Sequence, residues 1–331
     1  MNSYTRRQIL AAAAMASLPG RLPGATLSQI RLGVTTDEID EDVLTAIRFL
    51  RRFGLSYAEV RNIWGKYNTS QPLEKIREAR ELFREHGIQV SILGTAFFKV
   101  PLPPDTPDGR RALDDEWKLL DAAMERAKIF GTDKIRVFAF TYKEGEQPDK
   151  KNLPRIYELV REAARRAKAR NFRLALENVG GSYVSTGAQA AEILKAIPDS
   201  ALGLTWDPNN AGASGERSFP DGYRLLDPAR IIHVHLRDYR HKPDGKVEWC
   251  AVGEGEFDNL GQLRALLKDG YKETLTLETH YRSPRGKAHA SETSLTALLK
   301  VVNQVCPSER RQRSRPELAP RPAMTPISPS S

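Results

Sequence analysis

The chain has 331 residues, of which 40% are hydrophobic, and its formal net charge is +9. This length allows one large domain of about 250 residues with tails, and no apolar run reaches the roughly 20 residues of a membrane-spanning helix. Much of the excess positive charge lies near the two ends of the chain, so it is weak evidence for nucleic-acid binding. The two cysteines, Cys250 and Cys306, are too few for a disulfide framework or a thiolate metal site, and whether they pair is left open.

The N-terminus combines a twin arginine, Arg6-Arg7, with a short alanine-rich run over residues 11–18. This pattern resembles a twin-arginine export signal, although a disordered or weakly helical N-terminus is the simpler alternative. We therefore assign residues 1–27 to a signal segment and predict a periplasmic or secreted protein, or a cytoplasmic one if the signal is not used.

From residue 28 onwards, short apolar runs alternate with segments of helical periodicity. The apolar runs predict strands over residues 30–35, 57–61, 88–93, 134–140, 172–178, 201–207, 230–238 and 274–280. The periodic segments predict helices over residues 37–53, 72–86, 109–130, 153–169, 188–196, a looser stretch ending near 226, 260–268 and 293–305. Strands and helices in this alternation predict an α/β fold, a (β/α)8 TIM barrel over residues 28–305. Residues 306–331, rich in Pro, Arg and Ser, are predicted to be a disordered tail.

Four of the predicted strands run into a side chain that can bind a metal: Glu177, Asp207, His235 and Glu278. The active site of such a barrel forms at the carboxyl ends of its strands, so we expect these side chains to converge. Three carboxylates and one imidazole suit one divalent metal ion, Mn²⁺, Mg²⁺, Co²⁺ or Zn²⁺. His233 shares the face of His235 one layer deeper, and it is predicted to be a hydrogen-bonded core residue.

Further polar and aromatic residues near the strand ends are candidate substrate contacts. They are Arg61, Trp64, Arg237, His241 and His280. A packing role is an equal alternative for Arg61 and Trp64, and a solvated loop position is an equal alternative for His280. Glu59 is predicted to point into the barrel, where a buried Glu–Arg pair is the simplest interpretation.

Five motifs resemble those of the xylose isomerase-like sugar phosphate isomerase/epimerase family, over roughly residues 30–303. They are Leu-Glu-Asn-x-Gly-Gly at 176–181, Trp-Asp-Pro-Asn-Asn-Ala at 206–211, His-x-His-Leu-Arg-Asp at 233–238, Gly-Glu-Gly-Glu-Phe-Asp at 253–258 and Leu-Glu-Thr at 277–279. The resemblance implies that Glu177, Asp207, His235 and Glu278 hold a single divalent metal. It also implies that Glu177 and Glu278 are the catalytic acid/base pair. Epimerase members carry a His three residues after the metal-binding Asp, where this chain has Asn210, which can bind substrate by hydrogen bonds but cannot titrate.

The expected function is therefore that of an isomerase or epimerase of a sugar or sugar derivative in carbohydrate metabolism, acting by proton transfer through a metal-stabilised enediolate. The alternative is a lyase, a dehydratase or a deglycosylating enzyme that acts on an oxidised sugar, because the same enediolate permits elimination. An endonuclease-IV-type DNA repair enzyme is a remote alternative, since the ends of the second and third strands lack the histidines it needs. The expected partner is a small carbohydrate rather than a nucleic acid, and a homo-oligomer is left open.

Overall fold

The computed structural model describes residues 30–143, 145–146 and 148–305. The predicted signal segment, the predicted tail and Cys306 lie outside these residues, and so does the question of a Cys250–Cys306 pair. The strands are β1 (Arg31–Thr35), β2 (Tyr57–Val60), β3 (Asn62–Ile63), β4 (Lys66–Tyr67), β5 (Gln89–Gly94), β6 (Lys134–Val137), β7 (Arg173–Glu177), β8 (Leu202–Trp206), β9 (Ile231–Leu236), β10 (Asp238–His241), β11 (Val247–Cys250) and β12 (Thr274–Leu277). The α-helices are α1 (Val43–Arg52), α2 (Leu73–Glu85), α3 (Pro107–Phe130), α4 (Leu153–Lys168), α5 (Gly187–Ala196), α6 (Pro208–Ala213), α7 (Asn259–Lys268) and α8 (Lys287–Val305).

Parallel strands close into a barrel in the order β1-β12-β9-β8-β7-β6-β5-β2, with helices between consecutive strands. This order confirms the predicted (β/α)8 TIM barrel. The strands are apolar along most of their length because the barrel interior covers one face and the helices cover the other. Among the helices of the described residues, not one combines the length and the apolar character needed to cross a membrane.

The register of the barrel aligns the ends of four neighbouring strands. Glu177 of β7 lies opposite Thr205 of β8, which in turn lies opposite His233 of β9. His235 of β9 lies opposite Thr276 of β12. The carboxyl ends of β7, β8, β9 and β12 therefore form one continuous part of the barrel rim.

Helix α3 illustrates how the sequence forms the outer layer. The hydroxyl of Thr106 accepts a hydrogen bond from the backbone N–H of Gly109 and caps the first turn. Leu120, Met124 and Ala127 are buried at a spacing of three or four residues, which gives the helix one apolar stripe against the core. Gly131 ends the helix with φ 75°, a conformation that glycine adopts without steric cost.

Three predicted strands end early, at Val137, Leu236 and Leu277, and in the first two the chain leaves the barrel wall to bond elsewhere. The strand predicted over 134–140 ends at Val137, after which the chain bonds to a neighbouring loop and Phe140 takes φ 59°. The strand predicted over 230–238 ends at Leu236, and the chain then turns into an antiparallel hairpin of β10 and β11. The carboxylate of Asp238 holds this turn by accepting the backbone N–H groups of Gly253 and Phe257 at 2.8 and 3.2 Å.

The β10–β11 hairpin packs against the short helix α6. A Cβ atom on Gly212 of α6 would overlap the phenol of Tyr239 on β10, so only glycine permits this contact. The last helix begins at Lys287 rather than at the predicted residue 293, and it packs against α7 and β12.

Candidate metal centre

The four predicted ligands lie together on the rim of the barrel. Glu177, Asp207, His235 and Glu278 each offer one ligand atom, and these atoms all lie within 4.8 Å of one another. All four side chains are buried. His235 Nδ1 lies 3.5 Å from Glu177 Oε1 and 3.3 Å from Glu278 Oε2, and it is 3.8 Å from Asp207 Oδ2. The parallel register thus brings four residues that are distant in sequence to one point.

Three buried atoms of this cluster accept or donate no hydrogen bond of good geometry among the described residues: Glu177 Oε2, His235 Nδ1 and Glu278 Oε2. An arginine nitrogen lies 3.2 Å from each of the two oxygens as an ion-pair partner. Buried polar atoms nearly always form a hydrogen bond, so three convergent atoms without one indicate a position for a further group. Carboxylate oxygens with one imidazole nitrogen form a donor set that divalent cations bind. The residues present therefore fit such a cation.

The orientation of His235 is set from behind by Glu59, which is fully buried. Glu59 Oε2 lies 2.8 Å from His235 Nε2 and 3.1 Å from His233 Nε2. A carboxylate in this place favours the proton on Nε2 and leaves Nδ1 for a metal. Burial lowers the pKa of His233 to about 4, although Glu59 acts in the opposite direction, so His233 is a neutral core residue at pH 7. Burial alone would also lower the pKa of His235, but Glu59 and Glu278 raise it well above its ordinary value.

Arg136 of β6 joins the carboxylates at the centre of the barrel. Its Nη1 lies 3.2 Å from Glu59 Oε1 and 3.3 Å from Glu278 Oε1, and its Nε lies 3.2 Å from Glu177 Oε2. Glu59 is thus in a buried Glu–Arg pair as predicted, but its partner is Arg136 and not the nearby Arg61, whose ion pairs are with other carboxylates. Burial alone would raise the pKa of Glu177, but Arg136 and His235 lower it to about 2. Several carboxylates can therefore be buried together because a buried guanidinium lies between them.

Two more arginines neutralise the outer side of the cluster. Arg61 Nη1 lies 2.9 Å from Glu278 Oε1, and its Nη2 contacts Glu38 at 2.7 Å. Arg237 is buried and forms an ion pair with Asp207 Oδ2. The other oxygen of Asp207 accepts the backbone N–H groups that begin α6. Both oxygens of Asp207 therefore accept hydrogen bonds from the protein.

A cavity of about 350 Å³ opens above the cluster. Most of the predicted site residues line it, namely Glu177, Glu278, Asn210, Arg61, Arg237 and His280. Asn210 Nδ2 lies 3.2 Å from Glu177 Oε1, so this amide also holds a predicted ligand. Burial and the charge of Arg237 lower the pKa of His280 to about 3.

Two predicted substrate contacts lie elsewhere. Trp64 is outside the cavity lining, where its indole N–H faces Asp42 at 3.4 Å and its ring lies under Lys75. His241 is exposed on β10, and its Nδ1 lies 3.0 Å from Glu256 Oε2. The structure gives both residues local packing partners and does not bring them to the cluster.

Among the residues of the cavity wall that were not predicted, three are charged or aromatic: Lys99, Arg136 and Trp249. Trp249 belongs to β11, and its ring lies 4.3 Å from the guanidinium carbon of Arg237 and 5.8 Å from the ring of His280. Trp249 and His280 also line a neighbouring cavity of about 700 Å³. Of these three residues, Arg136 alone could have been found from the sequence, because it is a charged residue inside a predicted buried strand.

A sequence model described as "Xylose isomerase-like TIM barrel" matches residues 47–300. Among curated proteins, the 3-dehydroshikimate dehydratase of Pseudomonas aeruginosa is 28% identical over 170 residues, which are 48% of this chain and 26% of that protein. The mannonate dehydratase of Saccharophagus degradans is 31% identical over 106 residues, which are 32% of this chain and 26% of that protein. The matches span about a quarter of the length of these relatives.

Among solved structures, the IOLI protein with a bound zinc atom has a TM-score of 0.69 at 20% identity, over 83% of this chain and 99% of that chain. A xylose isomerase-like protein from Mycobacterium smegmatis in complex with magnesium has a TM-score of 0.60 at 17% identity, over 84% of this chain and 97% of that chain. The D-psicose 3-epimerase from Clostridium cellulolyticum H10 with D-tagatose has a TM-score of 0.62 at 17% identity, over 83% of this chain and 98% of that chain. At such identities, the likeness establishes the fold.

Proposed function

Because the chain belongs to the xylose isomerase-like TIM barrel family, we propose that it is a divalent-metal-dependent isomerase or epimerase of a sugar or sugar derivative. One observation carries the proposal. Glu177 Oε2, His235 Nδ1 and Glu278 Oε2 are buried, lack hydrogen-bond partners among the described residues, and converge beneath a cavity. The convergence of these three atoms on one point supports a further group bound between them.

Glu177, Asp207, His235 and Glu278 would hold the cation. A divalent cation bound by them supplies a Lewis acid, which stabilises the negative charge that develops on a substrate oxygen. Two of the relatives in crystals contain zinc or magnesium, which supports a divalent cation without fixing its identity.

The two glutamates would move the proton. Glu177 and Glu278 both line the cavity, and β8 and β9 stand between their strands on the rim. One carboxylate removes a proton from the carbon next to a carbonyl, and the other returns a proton to that carbon or to its neighbour. Return to the opposite face gives an epimer, whereas return to the neighbouring carbon gives an isomer. Asn210 holds the Glu177 carboxylate in place through its amide.

The test is exchange of substrate protons with D₂O across a panel of free and oxidised sugars, using protein equilibrated with Mn²⁺. Replacing the base by an amide preserves shape and one oxygen, so Glu177→Gln and Glu278→Gln should each lose about 10²–10⁴-fold in exchange rate. Glu273→Gln is the matched control, because this glutamate precedes β12 at the opposite end of the barrel. Variants that hold metal and exchange protons at the wild-type rate would refute the assigned roles.

A second candidate is a dehydratase, and the names of both curated relatives favour it. Elimination begins with the same loss of a proton next to a carbonyl, and the neighbouring hydroxyl then leaves as water. Product analysis separates the two candidates. An isomerase product keeps the mass of the substrate, whereas a dehydratase product has lost one water and carries a new double bond that absorbs ultraviolet light.

A further inference from the structure

Four cationic side chains line the cavity: Arg61, Lys99, Arg136 and Arg237. The three arginines are ion-paired with carboxylates of the protein. The ammonium group of Lys99 has no hydrogen bond or ion pair with any residue that the structure describes. Lys99 therefore differs from the three arginines, since it lines the cavity and its charge has no anionic partner among the described residues.

The loop that carries Lys99 is rigidly held. Phe98 takes φ 61°, in the left-handed region, and its backbone N–H donates to Glu116 Oε2 at 2.6 Å. The ring of Phe98 stacks between Phe97 and Phe140, with ring centroids 3.8 and 4.0 Å apart. Such a backbone conformation persists in a bulky residue only where the surroundings enforce it, and it clusters at functional positions.

A separate aromatic ring lies under the ammonium. Lys99 Nζ lies 4.6 Å from the ring centroid of Phe138, which follows β6 on the neighbouring part of the rim. The Lys99 side chain is exposed, yet the protein around its ammonium partly desolvates it and lowers the pKa of Lys99, an effect that Glu177 partly offsets. An anion in the cavity would supply the partner that the protein does not.

We propose that Lys99 binds a carboxylate of the substrate, so that the substrate is a sugar acid or a related hydroxy- or keto-acid. The inference rests on the proposed function, because it names the substrate class of the same site. A phosphate ester is the other source of an anion. It carries close to two charges and is usually bound by several donors, whereas this cavity offers one cation without a protein partner. A singly charged carboxylate matches that cation.

The test compares the affinities of acids with those of neutral counterparts of the same shape by titration calorimetry. Its readout is the dissociation constant and does not depend on catalytic activity. The probes are D-glucuronate against D-glucose, D-mannonate against D-mannitol, and D-glucose 6-phosphate, each added to protein equilibrated with Mn²⁺. The variants are Lys99→Met, which removes the charge, and Lys99→Arg, which keeps it. Lys75→Met is the matched control, because this lysine also lies over an aromatic ring, at 4.9 Å from the Trp64 centroid, but outside the cavity.

Wild-type protein and Lys75→Met should bind at least one acid about 10–100-fold more tightly than its neutral counterpart, as expected for a hydrogen bond to a charged group. Lys99→Met should lose this preference, and Lys99→Arg should restore part of it. A preference that survives in Lys99→Met would assign the acid to the metal and overturn the inference. The inference would also be overturned if acid and neutral probes bound equally or if no acid bound. The same holds if D-glucose 6-phosphate bound more tightly than the carboxylic acids. If Lys99→Met does not fold, Lys99→Gln provides the same comparison.

The two proposals can fail separately. If Lys99→Met loses the acid preference but the wild type exchanges no protons, the carboxylate site is supported and the isomerase function is refuted. Proton exchange on neutral sugars, with an acid preference that does not depend on Lys99, would do the reverse.

Discussion

Replacing Glu59 by Gln should weaken metal binding although Glu59 is not a ligand. Glu59 Oε2 forms hydrogen bonds with both His233 Nε2 and His235 Nε2, while Glu59 Oε1 lies 3.2 Å from Arg136 Nη1. A glutamine has one side-chain oxygen. If this oxygen accepts the hydrogen bonds from the histidines, the amide NH₂ group faces Arg136, and both groups are donors. The loss of the charge and of the fixed His235 orientation should lower metal affinity by about 10–100-fold, the usual effect of removing such a supporting carboxylate.

The cost in stability can be bounded from the same contacts. Losing a hydrogen bond to a charged group costs about 1.5–3 kcal/mol. Arg136 keeps Glu177 and Glu278 as partners, so the loss should stay below the roughly 3–5 kcal/mol of a fully stranded buried charge. Glu59→Gln should therefore fold, and its melting temperature should fall by several degrees.

The assay is calorimetric titration of metal-free protein with Mn²⁺, together with thermal unfolding monitored by circular dichroism. Glu273→Gln is again the control, since it should lose stability and keep its metal affinity. If Glu59→Gln melts cooperatively and binds Mn²⁺ as tightly as the wild type, Glu59 does not orient His235, and the argument from the shared oxygen is refuted.

Other changes have separate expected outcomes. Asn210→Ala should raise KM by about 2–10-fold and also lower kcat, because it removes a hydrogen bond available to substrate together with the amide that holds Glu177; a rise in KM with unchanged kcat would mean that Asn210 acts on substrate and not through Glu177. Glu273→Gln should lower stability by about 1–2 kcal/mol at pH 7, between the values for exposed and buried pairs. Burial alone would raise the pKa of Glu273, but Lys134 and Arg173 lower it, so this stability is present above the unfolded pKa near 4.5 and is lost as the pH falls further. Denaturant unfolding at pH 7 and pH 3 measures the difference between variant and wild type, which should shrink at the lower pH.

The barrel and its four candidate ligands could be predicted because both follow from local pattern. Each strand is a short apolar run between helical segments, and Glu177, Asp207, His235 and Glu278 come at the ends of such runs. Parallel strands place their carboxyl ends on one rim, so sequence position alone was enough to bring these side chains together. The predicted export signal stays a prediction, since residues 1–27 lie outside the described range.

The cavity wall could not be predicted in the same way, because it depends on contacts between distant segments. Lys99 follows Phe98, which takes the left-handed region and stacks on Phe140, a residue from a distant part of the chain. Trp249 arrives through the antiparallel pairing of β10 with β11, within a stretch that the sequence analysis left without structure. Arg136 was within reach, because a charged residue in the middle of a buried strand needs a buried partner. Its partners, however, come from three other strands.

The stacking of Trp249 on Arg237 gives the chain a built-in optical reporter. Of the four tryptophans, Trp249 alone lines the cavity. Trp206 is buried with its N–H bonded to Gln262, Trp117 lies under Arg166 and Trp64 lies under Lys75. An occupant that moves the Arg237 guanidinium off the indole face changes the surroundings of one emitter and leaves the other three as they were. Filling of the cavity can therefore be followed by intrinsic fluorescence in the unlabelled protein, with Trp249→Phe as the silent reference.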